Sequence, residues 1–313
     1  GSATPGAGET IEWYANATGP VTATAPTGTN YGTYTAYAEA RNTTTGCTSA
    51  TRTLVTVKII KASSSTVVTV ADVTFDGNAH GGSAAVTGVG GLSQELTVTY
   101  TGVAPTVYGP STTAPANAGT YNASASFAGD NNHNGSNDNK NFIIAPAAAT
   151  ISIAGGTWTY DADPHGASIT TAKGVIGDGE DLSGSVDLGD TFSDFPGGTA
   201  HWTFSNPNYV AQSGDVTISI NKADALVNVV GGTWTYDALA HGASGTATGV
   251  ASVDLSAGLN FGTAYTNYSG GTAHWTFTGG TNYLDESGDV TITINKASSS
   301  TVVTVADVTF DGN

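Results

Sequence analysis

The sequence is nearly free of sulfur, because its 313 residues include one cysteine and no methionine. With Cys47 as the single cysteine, no disulfide can form within the chain, and a pairing partner would have to come from another segment. A catalytic thiolate would need a histidine base, and the residues around Cys47 supply none. A chain without methionine has no natural start residue, so we interpret the sequence as a fragment of a longer protein.

Basic residues are also scarce. The chain has 8 Lys and Arg against 25 Asp and Glu, which gives a net charge of −17. Nucleic acids and anionic membrane surfaces are bound through basic patches, so we expect neither as a partner. No apolar run approaches the ~18 to 20 residues of a membrane span, and we expect no membrane insertion. The charge favours solubility, repulsion between neighbouring chains and loose attraction of cations.

Helical patterns and hydrolytic motifs are absent as well. No long run has apolar residues at helical spacing, whereas 42 glycines among many Thr, Ser and Asn are typical of β-rich chains with many turns. The sequence contains no Gly-x-Ser-x-Gly elbow, no distinct carboxylate pair and no phosphate-binding glycine loop between a strand and a helix. It therefore predicts an all-β protein and gives the least support to hydrolytic chemistry.

What the sequence does contain is a repeat. The segment GGTWTYDADPHGAS at 155–168 returns as GGTWTYDALAHGAS at 231–244, and a looser copy lies at 72–81. A feature copied into each unit is more often architecture than a unique site. Apolar and hydroxyl residues alternate in Val216–Ile220, Val290–Ile294 and Leu96–Tyr100, which predicts half-buried antiparallel strands.

The repeat divides the chain into domains. We predict an N-terminal domain at 1–60, module 1 at 61–145, module 2 at 146–221, module 3 at 222–295, and the first strand of a further, incomplete repeat at 296–313. Strands of the N-terminal domain are predicted at Ile11–Tyr14, Thr33–Ala40 and Arg52–Ile59. Modules meet through short Asn-Lys-Ala segments at 221–223 and 295–297, which leave little room for a flexible linker.

The last residues, Lys296–Asn313, are identical to Lys61–Asn78. This identity far exceeds that between the other copies, so we interpret it as the duplication of a three-module block in a longer parent. The segment holds only the first strand or so of a module. We expect it to be poorly ordered unless a downstream segment or another chain completes it.

Histidines and tryptophans recur within the copies. His80, His165 and His241 each follow an Asp by four residues, but one His and one Asp per module are too few for a zinc site. We predict that these imidazoles bond to the turn after the strand. Trp158 and Trp234 are predicted to be core residues, with a sugar-stacking platform as the alternative.

The Gly-Gly-Thr-Ala-His-Trp-Thr-Phe motif predicts a strand with one buried face and one face exposed to solvent. Alternation places Trp202 and Phe204 on one face and His201 and Thr203 on the other, wetter face. His274 occupies the position of His201 in the next copy.

Two acidic loops are candidate calcium sites. One contains Asp130 and Asp138, and the other contains Asp178, Glu180 and Asp181. Calcium needs six to eight oxygen ligands, and neither loop has EF-hand spacing. Ordinary solvated turns are therefore the alternative interpretation.

Two family resemblances cover most of the chain. Residues 1–60, with IEWYANATG and YAEARNTTTGCTSATR, resemble the small Ig-like domains of secreted Bacteroidetes proteins. Residues 61–295 resemble the MBG and YDG-type repeats of large bacterial surface adhesins. The second resemblance is carried by YD followed by His at 160–165, GEDLSG at 179–184, AGTY at 118–121, and the closing TISINKA and TITINKA. Module 1 departs from it by ending in FIIAP, and module 3 lacks the GEDLSG turn.

The resemblances imply tandem small β-sandwich (Ig-like) domains arranged end to end, with β-grasp-like modules as the alternative fold. They imply an extracellular, cell-surface location and no enzymatic activity. The expected function is a structural stalk or spacer of an adhesin or surface filament that projects an adhesive region in attachment or gliding. Glycan-binding modules of a secreted protein are the alternative.

The expected partners follow from this interpretation. They are neighbouring repeats of the same chain, further copies in a filament completed by Thr301–Phe310, and surface polysaccharide. A Lys–Asn crosslink at Lys222 or Lys296 is a further alternative.

Overall fold

The computed structural model describes residues 1–311, and this part of the chain is built from twenty-two strands with no helical segment longer than three residues. The all-β prediction is confirmed. The β-grasp alternative is wrong for these residues, because that fold packs a helix across a sheet. None of the described helical segments is long and apolar enough to cross a bilayer.

The chain folds into two compact units. Unit 1 consists of Gly1–Ala148 with the short segments Val175–Asp178 and Pro207–Val210. Unit 2 consists of Ala149–Gly174, Gly179–Asn206 and the chain from Ala211 on. The two short segments of unit 1 are loops of the module 2 sequence, and neither contains a strand residue.

Residues 1–60 contribute one antiparallel sheet. Its strands are β1 (Glu9–Tyr14), β2 (Gly32–Asn42) and β3 (Thr53–Ile59), in the order β1-β2-β3. All three strands predicted for this part are confirmed. Arg52 caps the inner face, with its guanidinium 3.3 Å from the centroid of the Tyr14 ring.

Module 1 is a sandwich of two sheets. Its strands are β4 (Ser64–Thr69), β5 (Val73–Thr74), β6 (Ser83–Gly88), β7 (Leu92–Leu96), β8 (Thr99–Gly102), β9 (Gly119–Phe127) and β10 (Ser136–Ala145). One sheet has the order β4-β6-β7 and the other β5-β10-β9-β8. The single strand predicted at Leu96–Tyr100 is wrong, because the chain changes sheets between Leu96 and Thr99. The alternation continues across the break since Val98 and Tyr100 both face the shared core.

Modules 2 and 3 repeat this plan with a smaller first sheet. Module 2 has β11 (Thr150–Ala154), β12 (Gly156–Thr159), β13 (Ser168–Lys173), β14 (Val186–Asp187), β15 (Gly197–Phe204) and β16 (Gln212–Asn221). Module 3 has β17 (Leu226–Val230), β18 (Gly232–Thr235), β19 (Ser244–Thr248), β20 (Leu259–Asn260), β21 (Gly271–Phe277) and β22 (Glu286–Asn295). The sheets are β11-β13 with β12-β16-β15-β14, and β17-β19 with β18-β22-β21-β20.

The repeated GGTWT segment forms the strand that changes sheets. After β11 the chain crosses at Gly155, and β12 then pairs in parallel with the last strand, β16. β18 pairs with β22 and β5 with β10 in the same way. A side chain at Gly155 or at Gly231 would collide with the carbonyl oxygen of Thr217 or Thr291 on the last strand, which explains the glycine at each crossing. In every module the sheet-changing strand therefore runs in the same direction as the last strand.

The last strand supplies the centre of each core. Ile218 and Ile220 of β16 are buried against Ala200, while Thr217 and Ser219, which alternate with them, are less buried. Ile292 and Ile294 of β22 repeat this arrangement, and Phe142 and Ile144 of β10 take the same places in module 1. The alternation predicted for these strands is confirmed.

Residues 296–311 contain neither helix nor strand, and each of them is exposed. The last two residues of the predicted partial repeat lie outside the described residues. The identical sequence at 61–78 contains the strands β4 and β5.

Candidate functional site: the loops that join the modules

The loop before the last strand has the same backbone contact in all three modules. In each loop an Asn precedes a His or Tyr, and the second of these two residues forms a parallel bridge with an Ala near the start of its own module. The pairs are Ala62 with His133, Ala147 with Tyr209 and Ala223 with Tyr283. The Ala N–H donates to the Asn carbonyl at 2.8 to 2.9 Å. We call these loops, at 132–134, 208–210 and 282–284, the Asn loops.

Each Asn side chain binds a two-residue segment earlier in the chain, which we call the acceptor pair. The acceptor pairs are Asn30–Tyr31, Asn117–Ala118 and Asp194–Phe195. Within unit 2, Asn282 Oδ1 accepts from the Phe195 N–H at 3.0 Å, and Asn282 Nδ2 donates to Asp194 Oδ1 at 2.7 Å. A carboxamide carries both a donor and an acceptor, so one side chain satisfies both groups.

The other two acceptor pairs lie in unit 1 and are bound in the same way. Asn132 Oδ1 accepts from the Tyr31 N–H at 2.8 Å, and Asn132 Nδ2 donates to Asn30 Oδ1 at 3.0 Å. Asn208 repeats these bonds to the Ala118 N–H and to Asn117 at 2.9 and 3.3 Å. The same pair of bonds at three places indicates a common device rather than a chance contact.

The aromatic residue of the Asn loop packs against the end of the sheet-changing strand. In unit 2, the Tyr283 ring meets Tyr160 edge to face at a centroid distance of 5.4 Å, and the Val250 N–H donates to the Tyr283 hydroxyl at 2.9 Å. In unit 1, Tyr209 meets Phe75 in the same manner at 5.5 Å. Tyr283 also belongs to the core cluster of Ala223, Ala225, Ala247 and Phe277, so this contact is continuous with a hydrophobic core.

We call each Asn loop together with its acceptor pair a junction. At two of the three junctions a lysine contacts the aromatic residue of the acceptor pair. Lys222 Nζ donates to the Gly280 carbonyl at 2.7 Å and lies 5.5 Å from the Phe195 ring centroid. Lys61 Nζ lies 5.6 Å from the Tyr31 ring centroid. Such cation–π contacts at exposed sites contribute about 0.5–1 kcal/mol. Pro146 replaces the lysine at the remaining junction.

The His133 side chain of the first Asn loop has a raised pKa. Its Nδ1 faces the Asp130 carboxylate at 2.9 Å and its Nε2 faces the Val89 carbonyl at 2.9 Å, so both ring nitrogens have acceptors and both donate in the imidazolium form. The Asp130 carboxylate, followed by the Val89 carbonyl, raises the pKa of His133. The same bond to His133 is the main cause that lowers the pKa of Asp130.

We expect the first junction to weaken as the pH rises. A raised pKa in the folded state means that the His133 contribution is complete below the unfolded value of about 6.5 and is lost as the pH passes through the folded value. His133→Tyr, which copies Tyr209 and Tyr283, should remove this dependence. The melting temperature of the native chain relative to that of the variant should therefore fall as the pH rises from about 6.5 through the pKa of folded His133. A constant difference across this range would contradict the assignment.

We also expect the Asn282 amide to protect the Phe195 N–H from exchange. Asn282→Ala removes the acceptor of that N–H, and loss of one hydrogen bond of ordinary strength should speed its hydrogen exchange roughly 3- to 10-fold. Thr281→Ala, at the exposed neighbouring position, is the matched control and should leave the rate unchanged.

A donor–acceptor swap sharpens this experiment. Asn282→Asp alone sets two carboxylates against each other and should weaken the junction at neutral pH. Adding Asp194→Asn restores one donor and one acceptor and should recover the protection of the Phe195 N–H. An effect of the double variant that equals the sum of the two single effects would show that the side chains do not interact.

Three of the calcium candidates accept backbone hydrogen bonds. The Asp130 carboxylate accepts from the Asn132 and His133 N–H groups, both at 2.7 Å. Asp138 accepts from the Val68 N–H at 2.8 Å, and Asp181 accepts from the Ser183 N–H at 2.9 Å.

The structure does not gather these acidic residues into one ligand set. Among residues 1–311, no group of three or more His, Cys, Asp and Glu side chains could hold a metal ion. Calcium binding stays a prediction.

The repeated Asp and His residues form one local structure in each module. The imidazole Nε2 donates to the Asp carboxylate at 2.8 to 2.9 Å in the pairs His80 with Asp76, His165 with Asp161 and His241 with Asp237. Each carboxylate also accepts a backbone N–H two residues later. The Asn78 N–H and then His80 lower the pKa of Asp76 to about 2. The predicted structural role of these histidines at the turn agrees with these bonds.

The tryptophans are half-buried and covered. The indole of Trp158 stacks on the imidazole of His165 at 4.8 Å between ring centroids, and its far edge lies over Gly156. Trp234 stacks on His241 in the same way at 4.9 Å. One face of each indole is therefore occupied by histidine instead of being open to a pyranose ring.

The faces predicted for the Gly-Gly-Thr-Ala-His-Trp-Thr-Phe motif are confirmed. Phe204 is buried and Trp202 half-buried, while His201 and Thr203 are exposed. On this exposed face His201 Nδ1 bonds the Asp215 carboxylate at 2.7 Å across the strand pair.

Sequence reasoning missed the Asn loops and their acceptor pairs. The signal is present: an Asn followed by His or Tyr comes a few residues before the last strand of every module, at 132, 208 and 282. Asn and Asp are common in turns, so single occurrences carried no weight. Only an alignment of the three copies against one another would have singled them out.

No protein-family model matches the sequence, and no curated protein matches it. Among solved structures, the chain is similar to extracellular cadherin domains 3–6 of protocadherin gamma B2, with 11% identity, a TM-score of 0.28, and coverage of 85% of this chain and 84% of that one. It is also similar to immunoglobulin domains 1–5 of Sidekick-1, with 10% identity, a TM-score of 0.24, and coverage of 92% and 74%. It is similar to Drosophila N-cadherin EC1-4 as well, with 9% identity, a TM-score of 0.23, and coverage of 93% of this chain and 92% of that one. Similarities of this size establish no relationship, so the function has to be inferred from contacts within the chain.

Proposed function

We propose that the chain is a structural spacer segment of a large extracellular bacterial adhesin or surface filament, which holds an adhesive region away from the cell. The observation that carries this proposal is the parallel pairing of the sheet-changing strand with the last strand in every module. Tension applied through the chain loads such a pair in shear, so its hydrogen bonds resist together instead of opening one after another. A segment that bears load between a cell and a surface needs this property.

The Asn loops support the same proposal. A spacer also requires that consecutive modules be joined by more than a short linker. Within unit 2, the side chains of Asn282 and Tyr283 contact Asp194, Phe195 and Tyr160 of the preceding module. These contacts limit bending at that junction. The resemblance to bacterial surface repeats adds the cell-surface location to the proposal.

Single-molecule stretching tests the proposal. Each module should unfold in a separate step that releases roughly 200–250 Å of chain, since an extended residue spans at most ~3.3–3.6 Å. Modules 2 and 3 pair four residues between the sheet-changing strand and the last strand, whereas module 1 pairs two. We therefore expect module 1 to unfold at the lowest force. A smooth extension without steps would contradict a load-bearing function.

A further inference from the structure

Module 3 carries an acceptor pair of its own at Asn267–Tyr268. Its turn is closed by a hydrogen bond from the Gly270 N–H to the Asn267 carbonyl at 3.0 Å, as the Gly197 N–H closes the turn at Asp194 at 2.8 Å. Lys296 Nζ lies 4.8 Å from the Tyr268 ring centroid, which repeats the contact of Lys222 with Phe195. Module 3 therefore already has the acceptor half of a junction.

The other half is missing from the described part of the chain. The Tyr31, Ala118 and Phe195 N–H groups each donate to an Asn side chain. Within residues 1–311, neither the Tyr268 N–H nor the Asn267 side chain has a hydrogen-bond partner. Both residues are exposed.

A second position points to the same missing partner. Tyr236 follows β18 as Phe75 follows β5, and Phe75 is 4% exposed because Tyr209 covers it. Tyr236 is 43% exposed. An aromatic ring from an Asn loop would cover Tyr236 and bring its Asn to Asn267 and Tyr268.

We propose that Asn267, Tyr268 and Tyr236 form a docking site for the Asn loop of a module with the sequence of module 1. The occupant is indicated by Lys296–Asn313, which is identical to Lys61–Asn78. In module 1 this sequence places Ala62 against His133 of the Asn loop. The docking partner is then Asn132 and His133 of such a module. This inference extends the proposed spacer function by naming the partner of its open end.

The exposed apolar residues after Lys296 support this occupant. Val68 and Phe75 are 4% exposed in module 1, whereas the same residues in the copy, Val303 and Phe310, are 77% and 89% exposed. What the copy lacks is the surface formed by residues 79–145, including β6, β9 and β10. A second chain of the present sequence is a weaker candidate, because Asn132, Asn208 and Asn282 are all engaged within their own chain.

The test is to extend the full chain by adding a copy of residues 79–145 after Asn313. Hydrogen exchange measured by mass spectrometry on a peptide containing Tyr268 is compared between the original and extended chains. We expect exchange of the Tyr268 N–H to slow roughly 3- to 10-fold in the extended chain, as for one ordinary hydrogen bond. Changing the appended copy of Asn132 to alanine should return the rate to that of the original chain. The Phe195 N–H serves as an internal reference in every sample.

Equal exchange of the Tyr268 N–H in both chains, with the added strands protected, would overturn the proposal. If the added module does not fold, a second extension replaces residues 296–313 with a copy of residues 222–295, whose Asn loop has the same chemistry. Unchanged Tyr268 exchange in that chain would overturn it equally. Protection in the original chain that grows with concentration would make a second copy the partner, and would also overturn it. Stretching of modules 1 to 3 does not involve this site, so the spacer function is tested separately.

Discussion

Replacing Tyr283 with alanine should lower the free energy of unfolding of unit 2 by about 3–5 kcal/mol, the usual cost of deleting a buried aromatic ring. Tyr283 is 6% exposed, and its ring contacts Tyr160 while its hydroxyl accepts the Val250 N–H. The variant therefore opens a cavity in the core cluster and leaves the Val250 N–H without its acceptor. Urea unfolding followed by fluorescence measures the loss.

The neighbouring Leu284 is the matched control for this variant. It follows Tyr283 on the same loop but is 47% exposed, so Leu284→Ala should change stability by no more than about 0.5 kcal/mol. Tyr283→Phe separates the hydroxyl from the ring and should cost about 1–3 kcal/mol, because the Val250 N–H loses its partner. Equal losses for Tyr283→Ala and Leu284→Ala would show that the loop does not anchor the module.

Gly155→Ala should destabilise module 2 by about 1–3 kcal/mol or more, as expected when atoms are forced into a packed site. The added methyl group would collide with the Thr217 carbonyl oxygen on β16, so β12 must move away from the strand with which it pairs. Chemical unfolding of the full chain measures the loss. Stretching should show module 2 unfolding at a lower force, with modules 1 and 3 unchanged.

Gly184→Ala is the control in the same module. An alanine methyl group there would meet no atom within 4 Å, and the backbone at Gly184 does not have positive φ. Reduced freedom of the unfolded chain should then stabilise the protein slightly, by about 0.4–1 kcal/mol. If both glycine variants behave alike, the crossing at Gly155 does not require glycine.

Much of the fold could be predicted from the sequence, because alternation reports directly which side of a strand is buried. Val216–Ile220 and Val290–Ile294 lie within β16 and β22, and the three strands of the N-terminal domain are found where they were predicted. Alternation does not report which sheet a strand joins. For this reason Leu96–Tyr100 was predicted as one strand, although it spans two strands in different sheets.

The site could be predicted less well, because its bonds depend on pairs of residues far apart in sequence. Asn282 lies 88 positions from Asp194, and nothing near either residue indicates the other. The duplicated segment shows the same dependence on distant partners. Ser64–Thr69 forms β4, whereas the identical residues 299–304 form no strand. Residues 296–311 thus differ in structure from the identical residues 61–76, and local propensity does not decide the outcome.

Each junction has two different halves, the Asn loop and the acceptor pair, and this difference has a consequence for the number of modules that can be joined. In modules 1 and 3 the acceptor pair precedes a strand, β9 or β21, and the Asn loop follows it, so the two halves lie beyond opposite ends of that strand. Such head-to-tail interfaces are heterologous, and they give open arrays where the rotation between copies does not close a ring. Where an Asn loop fits any of the acceptor pairs, a whole module can be added or removed without a new interface. The number of modules, and with it the length of the spacer, would then be determined by the coding sequence and not by a closed symmetry.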